Sequence, residues 1–196
     1  MKRFGFALVA LAFGAVAIAQ APQRVPRETS SGTVGGKKVS IDYGRPALKG
    51  RALGDLLAKL PEDRIWRAGE NEVTILTSEG DLMVGAKKVP AGKYSVYVHI
   101  PASGDWSLVL NSNLGIELIK IYPAAPPAVA DHFWPRLDGY TKNVADKEVA
   151  RAAMKANAVK APADVFTVSF APAKDASTLT LAWGDKSYSL DLKPAK

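Results

Sequence analysis

From Lys38 onward the chain repeatedly alternates apolar and polar residues with a period of two. Val39, Ile41 and Tyr43 alternate with Ser40 and Asp42, which turns three apolar side chains to one face of a strand. Gly44-Arg45-Pro46 breaks that strand. The next predicted strand, Asn71 to Ser78, sets Val73, Ile75 and Thr77 against Thr74 and Leu76. Leu82 to Val84 and Lys88-Val89 flank Gly85-Ala86, the pattern of a tight hairpin. Tyr94, Val96, Val98 and Ile100 share one face of a strand, with Ser95, Tyr97 and His99 on the other. Trp106, Leu108 and Leu110 repeat the period after a short polar turn, so the two runs form an antiparallel pair.

Leu53 to Leu60 instead spaces its apolar residues by three and four, which predicts about two turns of helix ended by Pro61. Residues Ile116 to Tyr122 add a possible strand, followed by a Pro/Ala loop that ends in His132-Phe133-Trp134. Asp146 to Ala158 is ambiguous, because its Ala, Lys, Glu and Met content favours helix. Val165 to Phe170, Thr178 to Trp183 and Tyr188 to Leu192 alternate well, and Gly184-Asp185 supplies a turn between the last two. The pattern predicts an all-β fold: an antiparallel β-sandwich or jelly-roll-like single domain of roughly eight or nine short strands with one short helix.

Before that domain, Met1-Lys2-Arg3 is basic, Phe4 to Ile18 is apolar or small, and Ala17-Ile18-Ala19 is a small-x-small cleavage signature. The run is about 15 residues, short of a bilayer span, so residues 1–19 read as a signal peptide. Residues 20–36 lack periodicity and read as a flexible lead-in, leaving 37–196 as the folded domain. No later stretch is long and apolar enough to predict a transmembrane segment. The expected location is the periplasm or the cell exterior of a bacterium, as a soluble protein. The chain has no cysteine, so the fold must be held by its core.

The formal charge is +7, and removing Lys2 and Arg3 leaves +5. The excess is local: Lys37, Lys38, Arg45, Lys49, Arg51, Lys59, Arg64 and Arg67 stand against Asp42, Asp55, Glu62 and Asp63. A basic face of this kind suits anionic ligands. Nucleic acid is not expected, because no stacking aromatics are interleaved with the charges in a recognisable module.

Three segments are dense in candidate chemistry: Tyr43-Gly44-Arg45-Pro46 with Lys49-Gly50-Arg51, Trp66-Arg67-Ala68-Gly69-Glu70-Asn71-Glu72, and Pro90-Ala91-Gly92-Lys93-Tyr94-Ser95. Together they resemble the bacterial exported family called domain of unknown function 2911, from about Val39 to Asn111 and again over Val165 to Phe170. The resemblance implies an exported all-β domain with no assigned activity, and a strand over Glu148 to Ala158. Leu114 to Pro135 departs from the family pattern, being longer and richer in proline.

The segments admit two readings. In one, the glycines make turns, Trp66 and Tyr94 fill the core, and the arginines tie loop carbonyls together. In the other, Tyr43, Arg45, Lys49, Arg51, Arg67, Asn71 and Glu72 form a polar cleft that binds an anionic small molecule or glycan through charge-assisted bonds. An enzymatic alternative, an envelope hydrolase, uses His99 as its only well-placed proton-transfer group, with Glu72 or Asp42 as orienter. A strand through Glu70 and Glu72 would also put two carboxylates on one side, about 6 to 7 Å apart. His132 and His99 lack the spacing of a metal site; no metal or cofactor is expected. Neither a nucleophile elbow nor a phosphate-binding glycine loop is present. A third reading is a domain with a purely structural or protein-interaction role.

Overall fold

The computed structural model describes residues 27–135 and 140–195. The expected signal peptide, residues 1–19, lies outside the described residues. Strands β1 (Arg27–Val34) and β2 (Lys37–Gly44) are followed by a short helix, α1 (Leu53–Leu57), then by β3 (Ile65–Trp66) and β4 (Ile75–Ser78). Next come β5 (Leu82–Val84), β6 (Lys87–Val89), β7 (Gly92–His99), β8 (Ser107–Asn111) and β9 (Ile116–Glu117). Helical turns α2 (Leu118–Ile121) and α3 (Tyr140–Asn143) bracket β10 (Phe133–Trp134). The chain closes with β11 (Glu148–Ala153), β12 (Lys155–Ala156), β13 (Ala163–Ala173), β14 (Ala176–Gly184) and β15 (Lys186–Pro194).

Two antiparallel sheets result. One has the order β1-β2-β4-β7-β8-β11, with β3 on β7, and the other β13-β14-β15-β5-β6, with β12 on β15. Strands β9 and β10 pair separately. Alternation decides which side chains meet between the layers. Val39, Ile41 and Tyr43 of β2 and Val96 and Val98 of β7 turn inward to meet Phe166, Leu179, Leu181 and Leu192 from the opposite sheet, and all are essentially inaccessible. Truncating one such leucine to alanine costs about 2–5 kcal/mol.

Aromatic rings stitch the layers. Trp66 stacks on Trp183 with ring centroids 5.1 Å apart and meets Phe166 edge-on at 4.8 Å. At the other end Trp106 stacks on Tyr188 at 4.6 Å. The Tyr43 hydroxyl crosses the core to accept the Val168 amide at 3.0 Å. Burial pushes the Tyr43 phenol pKa up, with the Val168 amide opposing it.

The outer face of β7 and β8 is covered too. Tyr97 and Val109 pack with Ile65, Tyr140 and Val144 in a second buried cluster. Tyr140 donates to Glu148 at 3.0 Å and receives the Asn111 side-chain amide, also at 3.0 Å.

Four expectations change. The lead-in is not all lead-in: Arg27–Val34 pairs residue for residue with β2, from Arg27↔Gly44 to Val34↔Lys37. Its backbone ladder needs no apolar alternation, so periodicity could not reveal it. The predicted strand over Asn71 to Ser78 starts only at Ile75, because Asn71 has a left-handed backbone, φ 64°. Ile116 to Tyr122 forms two strand residues and then a helical turn. Helix is also more frequent than the single element predicted, although each added piece is one turn. Residues 148–153 and 155–156 are strands despite their helix-favouring composition, because pairing with β8 and β15 outweighs weak local propensity. No helix among the described residues is long and apolar enough to cross a membrane.

Candidate functional site

The first two motif segments meet at one end of β2, where glycine makes the meeting possible, whereas Gly92 of the third lies opposite Ser78, level with Val39 near the other end of that strand. A Cβ on Gly44 would lie 2.1 Å from the Glu70 carbonyl oxygen, and one on Gly69 would lie 2.6 Å from the Thr74 hydroxyl oxygen. That hydroxyl donates to the Ala68 carbonyl at 2.9 Å. The loop from Arg67 to Val73 is thereby pressed against the end of β2. Ala68 and Asn71 both adopt positive φ, 52° and 64°, a costly geometry for residues with a side chain that the surrounding contacts must over-determine.

This loop separates two clefts, and the residues expected to converge are divided between them. The first cleft, 310 Å³, contains Arg51, Arg67, Glu70, Trp66, Trp183 and the apolar side of α1. Arg51 is committed to structure there: its Nε donates to Leu48 O and its Nη2 to Ala47 O, each at 2.8 Å. Arg67 is different. It is half-buried beside Trp66, and no acceptor among the described residues hydrogen-bonds its guanidinium. Burial draws its pKa below the ordinary arginine value, with the Glu70 carboxylate pulling the other way. The buried Trp183 indole N–H also has no partner among the described residues.

The other expected ligands have other roles. Tyr43 is a core residue bonded to Val168. Arg45 pairs with Glu28 at 2.5 Å, and its Nε is buried without a partner. Lys49 is exposed, at φ 51°, with its backbone amide on the Asp164 carboxylate at 3.1 Å. The side chains do not converge on one point because the Lys49-Gly50 turn bonds to the start of β13, whereas Arg45 faces β1.

Glu72 belongs to the second cleft, 220 Å³, which Arg27, Asp42, Lys93, Asp131, His132 and Phe133 also line. Glu72 is buried, with Oε1 3.4 Å from His132 Nδ1 and Oε2 3.5 Å from Arg27 Nη1. Arg27 binds Asp42 through Nε and Nη2, and reaches the Val73 carbonyl at 3.1 Å. Sequence reading missed Arg27 because it stands in an aperiodic stretch. It weighed His132 only as a metal partner for His99.

His99 does not carry the expected dyad. It sits in β7 opposite Ile65 and Ser107. Burial, then Arg151 and Arg64, push its pKa below the ordinary histidine value, with Asp63 and Glu148 as the opposing carboxylates. Glu72 faces His132 instead, and Asp42 faces Arg27. Glu70 and Glu72 do not share a strand face either, since the left-handed Asn71 between them sends one to each cleft. Among the described residues no group of three or more His, Cys, Asp or Glu could hold a metal ion.

The fold and these clefts define an antiparallel β-sandwich protein with two polar clefts on either side of the Arg67–Val73 loop. The family model described as a protein of unknown function, DUF2911, matches residues 25–192, nearly the whole chain, and the protein belongs to that family. The match starts just before β1, in agreement with that strand's place in the sheet. Comparison with curated proteins and with solved structures gave no match.

Proposed function

We propose that the chain is exported and that its domain is a non-catalytic binding module for an anionic small molecule or glycan, received in the Arg67 cleft. The observation that carries this reading is the Arg67 guanidinium, half-buried in a cleft that Trp66 and Trp183 also line and lacking a hydrogen-bonded acceptor. A desolvated cation with incomplete compensation is stabilised by an incoming carboxylate, phosphate or sulfate, which offers two acceptors to the planar fork. Trp66 gives the cleft an apolar wall. The basic excess between Lys37 and Arg67 would draw such ligands in.

A thermal-shift titration of the processed protein with citrate, inorganic phosphate and a sulfated disaccharide tests the assignment, because a ligand of the native state raises Tm by mass action. At least one probe should raise Tm, and Arg67→Gln should abolish that rise while leaving the ligand-free Tm within a few degrees. A rise that survives Arg67→Gln, or none with any probe, refutes it. Export is tested by amino-terminal sequencing of the processed chain, expected to begin at Gln20 or just after.

A further inference from the structure

The second cleft has a division of labour that the first lacks. Its sheet wall is formed by β4 and β7, where Thr77 and Lys93 are direct cross-strand partners. Its other wall is the 114–133 segment, which contributes Leu114, Asp131, His132 and Phe133. The walls are joined by the Val73 amide, which donates to the Phe133 carbonyl at 2.8 Å. His132 is held at both backbone groups: its amide donates to Val129 O at 3.1 Å and its carbonyl accepts from Leu118 N at 2.8 Å.

The His132 ring lies against the buried Glu72 carboxylate, Nδ1 to Oε1 at 3.4 Å. Asp131, in the same wall, is an exposed carboxylate with no ion pair among the described residues. Across the cleft Lys93 is an exposed ammonium, also without one. Arg27 is already committed to Asp42, Glu72 and the Val73 carbonyl, which leaves Lys93 as the cation open to a ligand. One wall carries the Asp131 carboxylate, and the sheet wall carries the Lys93 ammonium. Between them lie Val73, Ile75 and Leu114.

We propose that this cleft binds a small zwitterion of amino-acid size, its ammonium on Asp131 and its carboxylate on Lys93. The volume of 220 Å³ lies below the roughly 300–1,000 Å³ of sites for drug-sized ligands, which restricts the occupant to a small molecule. A simple anion would meet Asp131 and a simple cation would meet Lys93. Only a molecule carrying both charges satisfies both walls.

Isothermal titration of the processed protein with glycine, L-alanine, L-leucine and glycylglycine, with acetate and ethylammonium as single-charge controls, decides the matter. Saturable binding of at least one zwitterion is expected, at least about tenfold tighter than either control. Lys93→Met and Asp131→Asn alter exposed side chains and should each weaken that binding about tenfold without moving Tm. Arg67→Gln should leave it unchanged, which separates this site from the Arg67 cleft. No saturable binding of any of the four, equal binding of a control, or full affinity in Lys93→Met overturns the proposal.

Discussion

Gly44 and Glu70 touch backbone to backbone: a methyl group on Gly44 would stand 2.1 Å from the Glu70 carbonyl oxygen. Both neighbours belong to main chain that cannot rotate away, so Gly44→Ala must push the Arg67–Val73 loop off β2. We expect a loss of about 2–3 kcal/mol, as for other overpacked sites. In a domain of this size that is a fall of several degrees in Tm, read by thermal unfolding under circular dichroism. An unchanged Tm would show that the loop tolerates displacement.

Strand β1 is structural, so a chain that begins at Lys37 should be defective. Removal of residues up to Gly36 takes away the β2 partner and the Arg27 bonds to Asp42, Glu72 and Val73. Such a variant should melt more than roughly 10 °C below one that begins at Gln20. Equal melting temperatures in differential scanning calorimetry would return the segment to the status of a mobile leader.

Tyr140 links the outer cluster to charge, through Asn111 and Glu148. Tyr140→Phe deletes that hydroxyl and should cost on the order of 1 kcal/mol, the net worth of such bonds. Urea denaturation measures it, and a stability equal to the parent would mean that the bonds add nothing net.

Alkaline pH offers a related check. Burial raises the phenol pKa of Tyr140, and likewise of Tyr43 and Tyr97. The folded state therefore holds protons that the unfolded state releases as pH passes about 10, the ordinary tyrosine value. With fewer protons bound unfolded than folded, stability falls as pH rises through that range. Tyr140→Phe should shallow this alkaline decline, measured by urea midpoints between pH 8 and pH 11; an identical slope would be falsifying.

Acid pH acts through Glu148, whose carboxyl is held below the usual carboxylate range chiefly by the Arg151 guanidinium, in bonds of 3.0 and 2.8 Å. A depressed pKa means that the unfolded state binds more protons, so this contribution is complete above the ordinary glutamate pKa and is lost as pH falls below it. Glu148→Gln should flatten the acid limb of the stability profile between about pH 5 and pH 3. If parent and variant lose stability in parallel there, the pair has no such role.

Much of this molecule was legible in the order of its residues. Period-two alternation located β2, β7, β8, β14 and β15, because a strand with one buried face must alternate. The hairpin at Gly85-Ala86 and the helix at Leu53 followed from turn chemistry and from spacing by three and four. The glycine-rich segments announced themselves as a cluster, since close main-chain approach leaves a compositional trace. Their partners did not. Which histidine and which arginine meet Glu72 is decided by residues 45 to 60 positions apart in the chain. Arg27 to Glu72 and Glu72 to His132 are such pairs. Alternation records which side of its own strand a residue faces, and it carries no information about what stands opposite; only the packing of one sheet on the other, and of the 114–135 segment on β4 and β7, supplies that.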